Sequence, residues 1–433
     1  MKLKLAAILP HPPIVVPEIG KDEVNKIPET FKSFEKIADL VSEIKPQTII
    51  MISSHNAMYY DYFNIAKGKE AFGSFKKFNA DVNITVKYNE DLVNEIIRIS
   101  KLNNIPLGTE GTMSLLDHGT MVPLYFINKK YTDYKLVRIG ISGLDNKTHY
   151  EVGKIINEAI NNFDEDVVVI TSGDMSHKLK ADGPYGISKE GIEYDKKVVS
   201  LLKESNFKKL LDFDETFLSK AAECGHRCFV MLGGILDGYT YKGKFLSYEN
   251  VFGIGYGAFT YEVIDEYVQL AIDTINEYVN NKKIIEIPGY ISKELLNNKA
   301  GVFVTIYKNN HLRGCIGTIE PYRENIALEI IHNAISSCSR DPRFNPVDKS
   351  ELSQLKISVD VLNKAEKVES IKELDVKKYG VIVSYRNRRG LLLPNIDGVN
   401  TVEAQINIAL NKAGIDVDDE YSIERFKVIR HEM

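Results

Sequence analysis

Four of the nine histidines in this chain, His11, His55, His118 and His177, stand in turns, and three of them follow directly on apolar runs. Imidazole serves both as a neutral metal ligand and as a proton carrier near pH 7. Such rings act together only if the fold brings them to one place. The first stretch suggests where: Lys4-Leu5-Ala6-Ala7-Ile8-Leu9 runs into Pro10-His11-Pro12-Pro13. The run lacks polar alternation, as in a strand buried on both faces. The prolines cannot extend a ladder, so they end the strand and stiffen the turn that carries His11.

Two histidines and one carboxylate hold Fe(II) on one face of an octahedron and leave the other face open. The candidate carboxylate is Glu223, in Ala221-Ala222-Glu223-Cys224-Gly225-His226-Arg227 at the head of an apolar helix. A carboxylate buried there unpaired is costly, and a bound cation relieves that cost. Asp174, three residues before His177, is suited to orient an imidazole or to add a ligand.

The elements that must position these groups read as an α/β domain. Pro28 to Ile44 carries Phe31, Phe34, Ile37, Ala38, Val41 and Ile44 on one helical face, with Pro28 in the first turn. Thr48 to Ile52 is a second buried strand and ends in Ser53-Ser54-His55. A strand–helix–strand unit makes the two strands parallel. His11 and His55 then share one sheet edge, the edge where open α/β sheets bind ligands. Leu136–Ile141 and Val167–Ile170 read as further strands, the latter leading into Gly173-Asp174-Met175-Ser176-His177. Helices are expected at 188–204 and 214–237, and strands at Phe245–Val251 and Tyr256–Val263. His226 reads as a structural helix histidine and His149 as an exposed one.

The character changes at Asp265, so the boundary is placed there: 1–264 and 265–433. The second part mixes strands (Val302–Tyr307, Leu312–Gly317, Leu355–Leu362, Gly380–Tyr385) with helices (Glu324–Ser337, Val402–Ala413), an α+β pattern. Its sharpest motif is His311-Leu312-Arg313-Gly314-Cys315-Ile316-Gly317-Thr318. Arg313 is suited to grip an anion, and Cys315 reads either as a small buried thiol or as a nucleophile.

Composition narrows the classes. With 433 residues, 44% hydrophobic and 27% charged, the chain is that of a globular protein of more than one domain. A net charge of −5 gives no basic footprint for nucleic acid. Four scattered cysteines suit reduced thiols in the cytoplasm better than a disulfide framework. The apolar run before Pro10 is shorter than the roughly 7–15 residues of a signal-peptide core, and no run reaches the roughly 18 of a membrane span.

Taken together, Pro-His-Pro-Pro at 10–13, Ser-Ser-His at 53–55, Asp-His-Gly-Thr-Met-Val-Pro-Leu at 117–124 and Gly-Asp-Met-Ser-His at 173–177 resemble the class III extradiol dioxygenases, the LigB-like fold that includes the Memo-like proteins. The resemblance spans residues 1 to about 264. It implies His11 and His55 as metal ligands, Glu223 as the third, His177 as the acid/base near substrate, and His118 as a residue contacting substrate or supporting the ligands. The Memo-like branch offers a cysteine in the Cys-Gly segment, and here Cys224 stands beside Glu223. The third ligand is therefore Glu223 or Cys224. A carboxylate suits Fe(II), whereas a thiolate suits zinc or copper. The implied activity is ring cleavage of a catechol-like or small aromatic substrate; the alternative is a metal-binding scaffold or modifying factor without that activity.

Residues from about 266 onward, with Asp341-Pro342-Arg343-Phe344 and Gly390-Leu391-Leu392-Leu393-Pro394 beside the Arg-Gly-Cys motif, resemble the AMMECR family. The pairing of the two domains resembles the AmmeMemoRadiSam system, which implies a radical-SAM partner protein. This chain lacks a Cys-x-x-x-Cys-x-x-Cys run, so that partner would be a separate chain. Nucleic acid and membrane are not expected as partners, and self-association is left open.

Overall fold

Six strands, Leu3–Leu9 (β1), Thr48–Ser53 (β2), Lys135–Gly140 (β3), Val167–Ser172 (β4), Tyr241–Glu249 (β5) and Tyr256–Val263 (β6), form one sheet in the order β3-β2-β4-β1-β6-β5. The computed structural model describes residues 2–396 and 398–432. β1, β4, β2 and β3 run parallel, while β6 and β5 join antiparallel at one side. Successive residues of β1 point to opposite faces: Ala6 and Ile8 enter one apolar core, and Leu5, Ala7 and Leu9 the other. Burial on both faces explains why the run carries no polar alternation.

Helices cover both faces. Pro28–Ile44 (α1) and His118–Asn128 (α2) supply Phe34, Ile37, Val41, Val122 and Leu124 to one core. Asn146–Asn162 (α3) and His226–Ile235 (α4) supply Ile155, Ile156, Phe229 and Val230 to the other. The sequence pattern at 214–237 suggests one helix, but the structure breaks it in two. A short helix, Glu215–Ala221, stops at Ala222, whose φ of 52° is left-handed, and α4 starts at His226. The intervening Glu223-Cys224-Gly225 thus lies in a loop rather than on a helix face.

The chain divides into two units, 1–264 and 265–433. In the second, Glu266–Asn281 (α5) and Ile326–Ser339 (α6) pack on a sheet of Gly301–Lys308 (β7), His311–Gly317 (β8), Leu355–Leu362 (β9) and the last strand, Val428–Glu432 (β13), in the order β8-β7-β9-β13. A second antiparallel sheet contains Gly380–Tyr385 (β10), Arg388–Leu392 (β11) and Ser422–Phe426 (β12), packed with the helix Val402–Ala413 (α7). The first unit is α/β with a mostly parallel sheet and the second is α+β. Among the described residues no helix is long and apolar enough to cross a membrane.

Candidate metal centre

The parallel register aligns the strand ends. Leu9 pairs with Ser172, and Ser172 with Ser53, so the three lie in one row across β1, β4 and β2. His11, Asp174 and His55 each stand two residues past that row. The shared edge therefore follows from strand order alone.

Three imidazoles meet there. The rings of His11 and His55 are 4.6 Å apart, those of His55 and His118 4.1 Å, and those of His11 and His118 5.4 Å, between centroids. His11 Nε2 lies 3.1 Å from His55 Nε2 and 3.5 Å from Cys224 Sγ. His118 arrives as the first residue of α2, which Asp117 caps by accepting from Thr120 N at 2.9 Å. Among the described residues, two sets of donors lie within 4.8 Å of one another: His11, His55 and His118, and His11, Asp174 and Cys224. His11 belongs to both.

Hydrogen bonding fixes the His11 tautomer. Ser172 Oγ donates to the Gly119 carbonyl at 2.6 Å, so toward His11 Nδ1, 3.1 Å away, it can only accept. Nδ1 therefore carries the hydrogen, and the Nε2 lone pair points at His55 and Cys224. Burial, reinforced by the neighbouring His55, lowers the His11 pKa to about 3, and the same causes bring His118 to about 3. Both rings are held neutral, the state in which imidazole ligates.

Asp174 anchors the other side. Its Oδ1 accepts from His11 N at 2.8 Å, and its carbonyl accepts from Gly225 N at 2.9 Å. Burial pushes its carboxyl pKa upward. The loop bearing Cys224 comes this close because two glycines touch: a Cβ on Gly173 would stand 2.3 Å from Gly225 Cα. Asp174 N donates to Cys224 Sγ at 3.3 Å. Burial also holds the Cys224 thiol pKa well up.

The structure sets Glu223 outside both donor sets. Its Oε2 accepts from His226 N at 2.6 Å, so the carboxylate caps the start of α4. Burial raises its pKa to about 7. His177 lies beside the cluster with Nδ1 2.6 Å from the Ala222 carbonyl. A carbonyl only accepts, so Nδ1 carries the hydrogen and Nε2 is left as a base. The Tyr185 ring stands against it at 5.2 Å. His226 is buried between Tyr194 Oη and the Leu210 carbonyl. His149, expected to be exposed, is instead fully buried: its ring holds the Asp145 carbonyl and Ser142 N and packs on Phe63.

Sequence reasoning missed the layer behind the imidazoles. Ser53 Oγ donates to Asp117 Oδ1 at 2.5 Å and accepts from His55 N at 3.2 Å. Arg138, fully buried in β3, stands 3.6 Å from Asp117 and donates to the carbonyls of Leu115 and Met113. An arginine inside the apolar run Leu-Val-Arg-Ile-Gly was the available signal, since a buried guanidinium requires partners.

Family models match both units of the chain. The family model described as the catalytic LigB subunit of aromatic ring-opening dioxygenase matches residues 5–259, and the AMMECR1 model matches residues 268–431. Protein CA_C1420 of Clostridium acetobutylicum is 43% identical over 466 residues, covering 100% of this chain and 99% of its own. A Thermotoga maritima protein is 51% identical over 167 residues, 38% of this chain and 96% of its own. The crystal structure of protein PH0010 from Pyrococcus horikoshii is 32% identical with a TM-score of 0.36, covering 38% of this chain and 88% of that one.

Proposed function

Since this chain belongs to the family of the catalytic LigB subunit of aromatic ring-opening dioxygenase, we propose that its N-terminal unit is a mononuclear metal enzyme that opens a catechol-like or other small aromatic ring, with Fe(II) as its metal. The observation that carries the reading is the convergence of His11, His55 and His118, the first and last held neutral by burial, at the carboxyl edge of the parallel strands. The donor chemistry fits a transition metal: the His11 nitrogen lies within reach of the His55 and His118 nitrogens in one set, and of the Asp174 carboxylate and the Cys224 thiol in the other.

In this reading His11 and His55 hold the metal. Cys224 or Asp174 completes the set from the opposite side, in preference to Glu223, whose carboxylate is occupied with the His226 amide. A metal bound there would supply the positions at which a diol and dioxygen meet and the electrons that pass between them. The protein's own groups do the rest. His177 Nε2 takes a proton from the incoming phenol, while the Ala222 carbonyl keeps the ring in the tautomer that can accept it. His118, half-buried with the Phe78 ring 5.8 Å away, forms a wall against which a planar substrate lies. Ser172 and Asp174 fix His11 by its ring and by its backbone.

The thiol favours a second reading. If Cys224 is the ligand, the site suits zinc or copper, and the protein serves as a metal-binding component working with a separate radical-SAM protein. Anaerobic purification, iron loading and oxygen uptake with a catechol decide between the two. Stoichiometric iron and diol-dependent uptake support the dioxygenase. Zinc or copper retained without uptake, with a radical-SAM protein co-purifying, supports the second.

A further inference from the structure

Tyr256 is 2% exposed, yet its hydroxyl has no hydrogen-bond partner among the described residues. A buried phenol normally finds one. The residue opens β6 and belongs to the core that also holds Leu9 and Ala258. Burial, with Asp174 adding to it, pushes its pKa up, so the hydroxyl keeps its proton and stays a donor.

Strand register brings this tyrosine to the metal centre. β1 and β6 run antiparallel, with Leu5 opposite Glu262 and Ile8 opposite Phe259. The same count, carried past the end of the ladder, sets His11 abreast of Tyr256. Gly255, the residue before it, is tied to the turn that leads into His177. Its carbonyl accepts from Met175 N at 2.9 Å, and its N donates to Ser176 O at 2.8 Å. A side chain is excluded at Gly255, where a Cβ would stand 2.0 Å from the buried Asp195 carboxylate. The backbone of Tyr256 therefore lies next to both the turn that carries His11 and the turn that carries His177.

Tyr256 also lines a cavity of about 450 Å³. Ile14, from the turn after His11, forms one wall, and Phe252 and Pro184 form others. Pro184 precedes Tyr185, whose ring lies 5.2 Å from that of His177. Lys180 and Asp182 bring opposite charges to the cavity, and Lys180 Nζ is engaged with the Val251 carbonyl at 2.7 Å. The lining is thus largely apolar and balanced in charge, and the Tyr256 hydroxyl is a buried donor left free in it.

We propose that this cavity is the subsite for the part of the substrate remote from the metal, and that it takes a short carbon chain ending in an oxygen acceptor, bound by the Tyr256 hydroxyl. The substrate is then a catechol with an oxygenated side chain. The balanced charge of the lining favours a hydroxyl or carbonyl over a carboxylate at the end of that chain. The proposal rests on the ring-opening reading above, since it has the diol facing His11 and His55.

Two catechols that differ by one oxygen test it, one bearing an ethyl group and the other a hydroxyethyl group at the same ring position. Calorimetry on the iron-loaded full chain without oxygen reads binding alone. The hydroxyethyl compound is expected to bind about fivefold more tightly, the worth of one net hydrogen bond. Tyr256→Phe should bring that ratio to one or below and keep the metal. It should also melt no lower than the wild type, because the hydroxyl it removes has no partner in the protein. The proposal is overturned by equal affinities in the wild type, by binding of neither compound, by a ratio that survives Tyr256→Phe, or by a variant that melts lower. Oxygen uptake is read separately. Uptake with equal affinities sinks the subsite and leaves the ring-opening reading; a preference without uptake sinks that reading and leaves the subsite.

Discussion

His11 Nδ1 donates to Ser172 Oγ, and that hydroxyl has no hydrogen to return because it is given to the Gly119 carbonyl. One hydroxyl thus decides which nitrogen of His11 faces the cluster. Ser172→Ala removes that decision. Metal affinity is expected to fall by about 10- to 100-fold, the usual cost of losing an outer partner of a ligating histidine. Metal content after dialysis against a graded chelator measures it; undiminished affinity would show that the tautomer is set elsewhere.

Glu223 and Cys224 are neighbours with different contacts: Glu223 accepts from His226 N, and Cys224 Sγ lies 3.5 Å from His11 Nε2. Cys224→Ser is expected to lose bound metal. Glu223→Gln should keep it and melt close to the wild type, because the amide oxygen still accepts from His226 N. Paired metal analysis and thermal melts separate them. Metal lost from the glutamine variant and retained in the serine variant would reverse the assignment.

His177→Gln leaves the donors untouched. Under the dioxygenase reading it keeps its metal and loses about 10²- to 10⁴-fold in turnover, the range of a single general base. Equal turnover in both proteins would remove His177 from proton transfer.

Arg138 is the least exposed charge behind the site, and its removal leaves Asp117 buried beside Ser53 without a cation. Arg138→Met is expected to destabilise the protein by about 3–5 kcal/mol, as when one partner of a buried pair is deleted. Denaturant titration reads the loss, and a shift below about 1 kcal/mol would mean that Asp117 is held by its hydroxyl and amide partners alone.

The Arg313 fork pulls the Glu351 carboxyl from 4.5 down to about 2. A carboxyl depressed on folding stabilises the native state above its unfolded pKa, and that gain is lost as pH falls from about 4.5 toward 2. The contribution is on the order of 2 kcal/mol. Comparing melts of the wild type and Glu351→Gln at pH 6 and at successively lower pH checks the sign. The gap between them should narrow on acidification, and a constant gap would contradict it.

Much of this was readable in the chain. The apolar run of β1, the helix beginning at Pro28 and the histidines at strand ends follow from local chemistry, and parallel pairing converts them into a common edge. What stayed hidden depends on tertiary contact. The break at Ala222 leaves no mark in a sequence whose apolar periodicity runs through it, yet it turns Cys224 toward His11 and leaves Glu223 as a cap. His149 looked exposed because its helix start is polar; the Phe63 ring that covers it comes from 86 positions away by sequence number. The serine and arginine supports were invisible for the same reason: their partners are set by strand order rather than by neighbours in the chain.

The contact of Gly173 with Gly225 also has a consequence for the order of biosynthesis. His11 is made before the thiol it faces, which follows 213 positions later. The donor set on the Cys224 side cannot exist until the ribosome has released that loop and the two glycine backbones have met. Because β4 lies between β1 and β2, His11 and His55 cannot come side by side before Ser172 is made, so the imidazole side and the thiol side are completed close together.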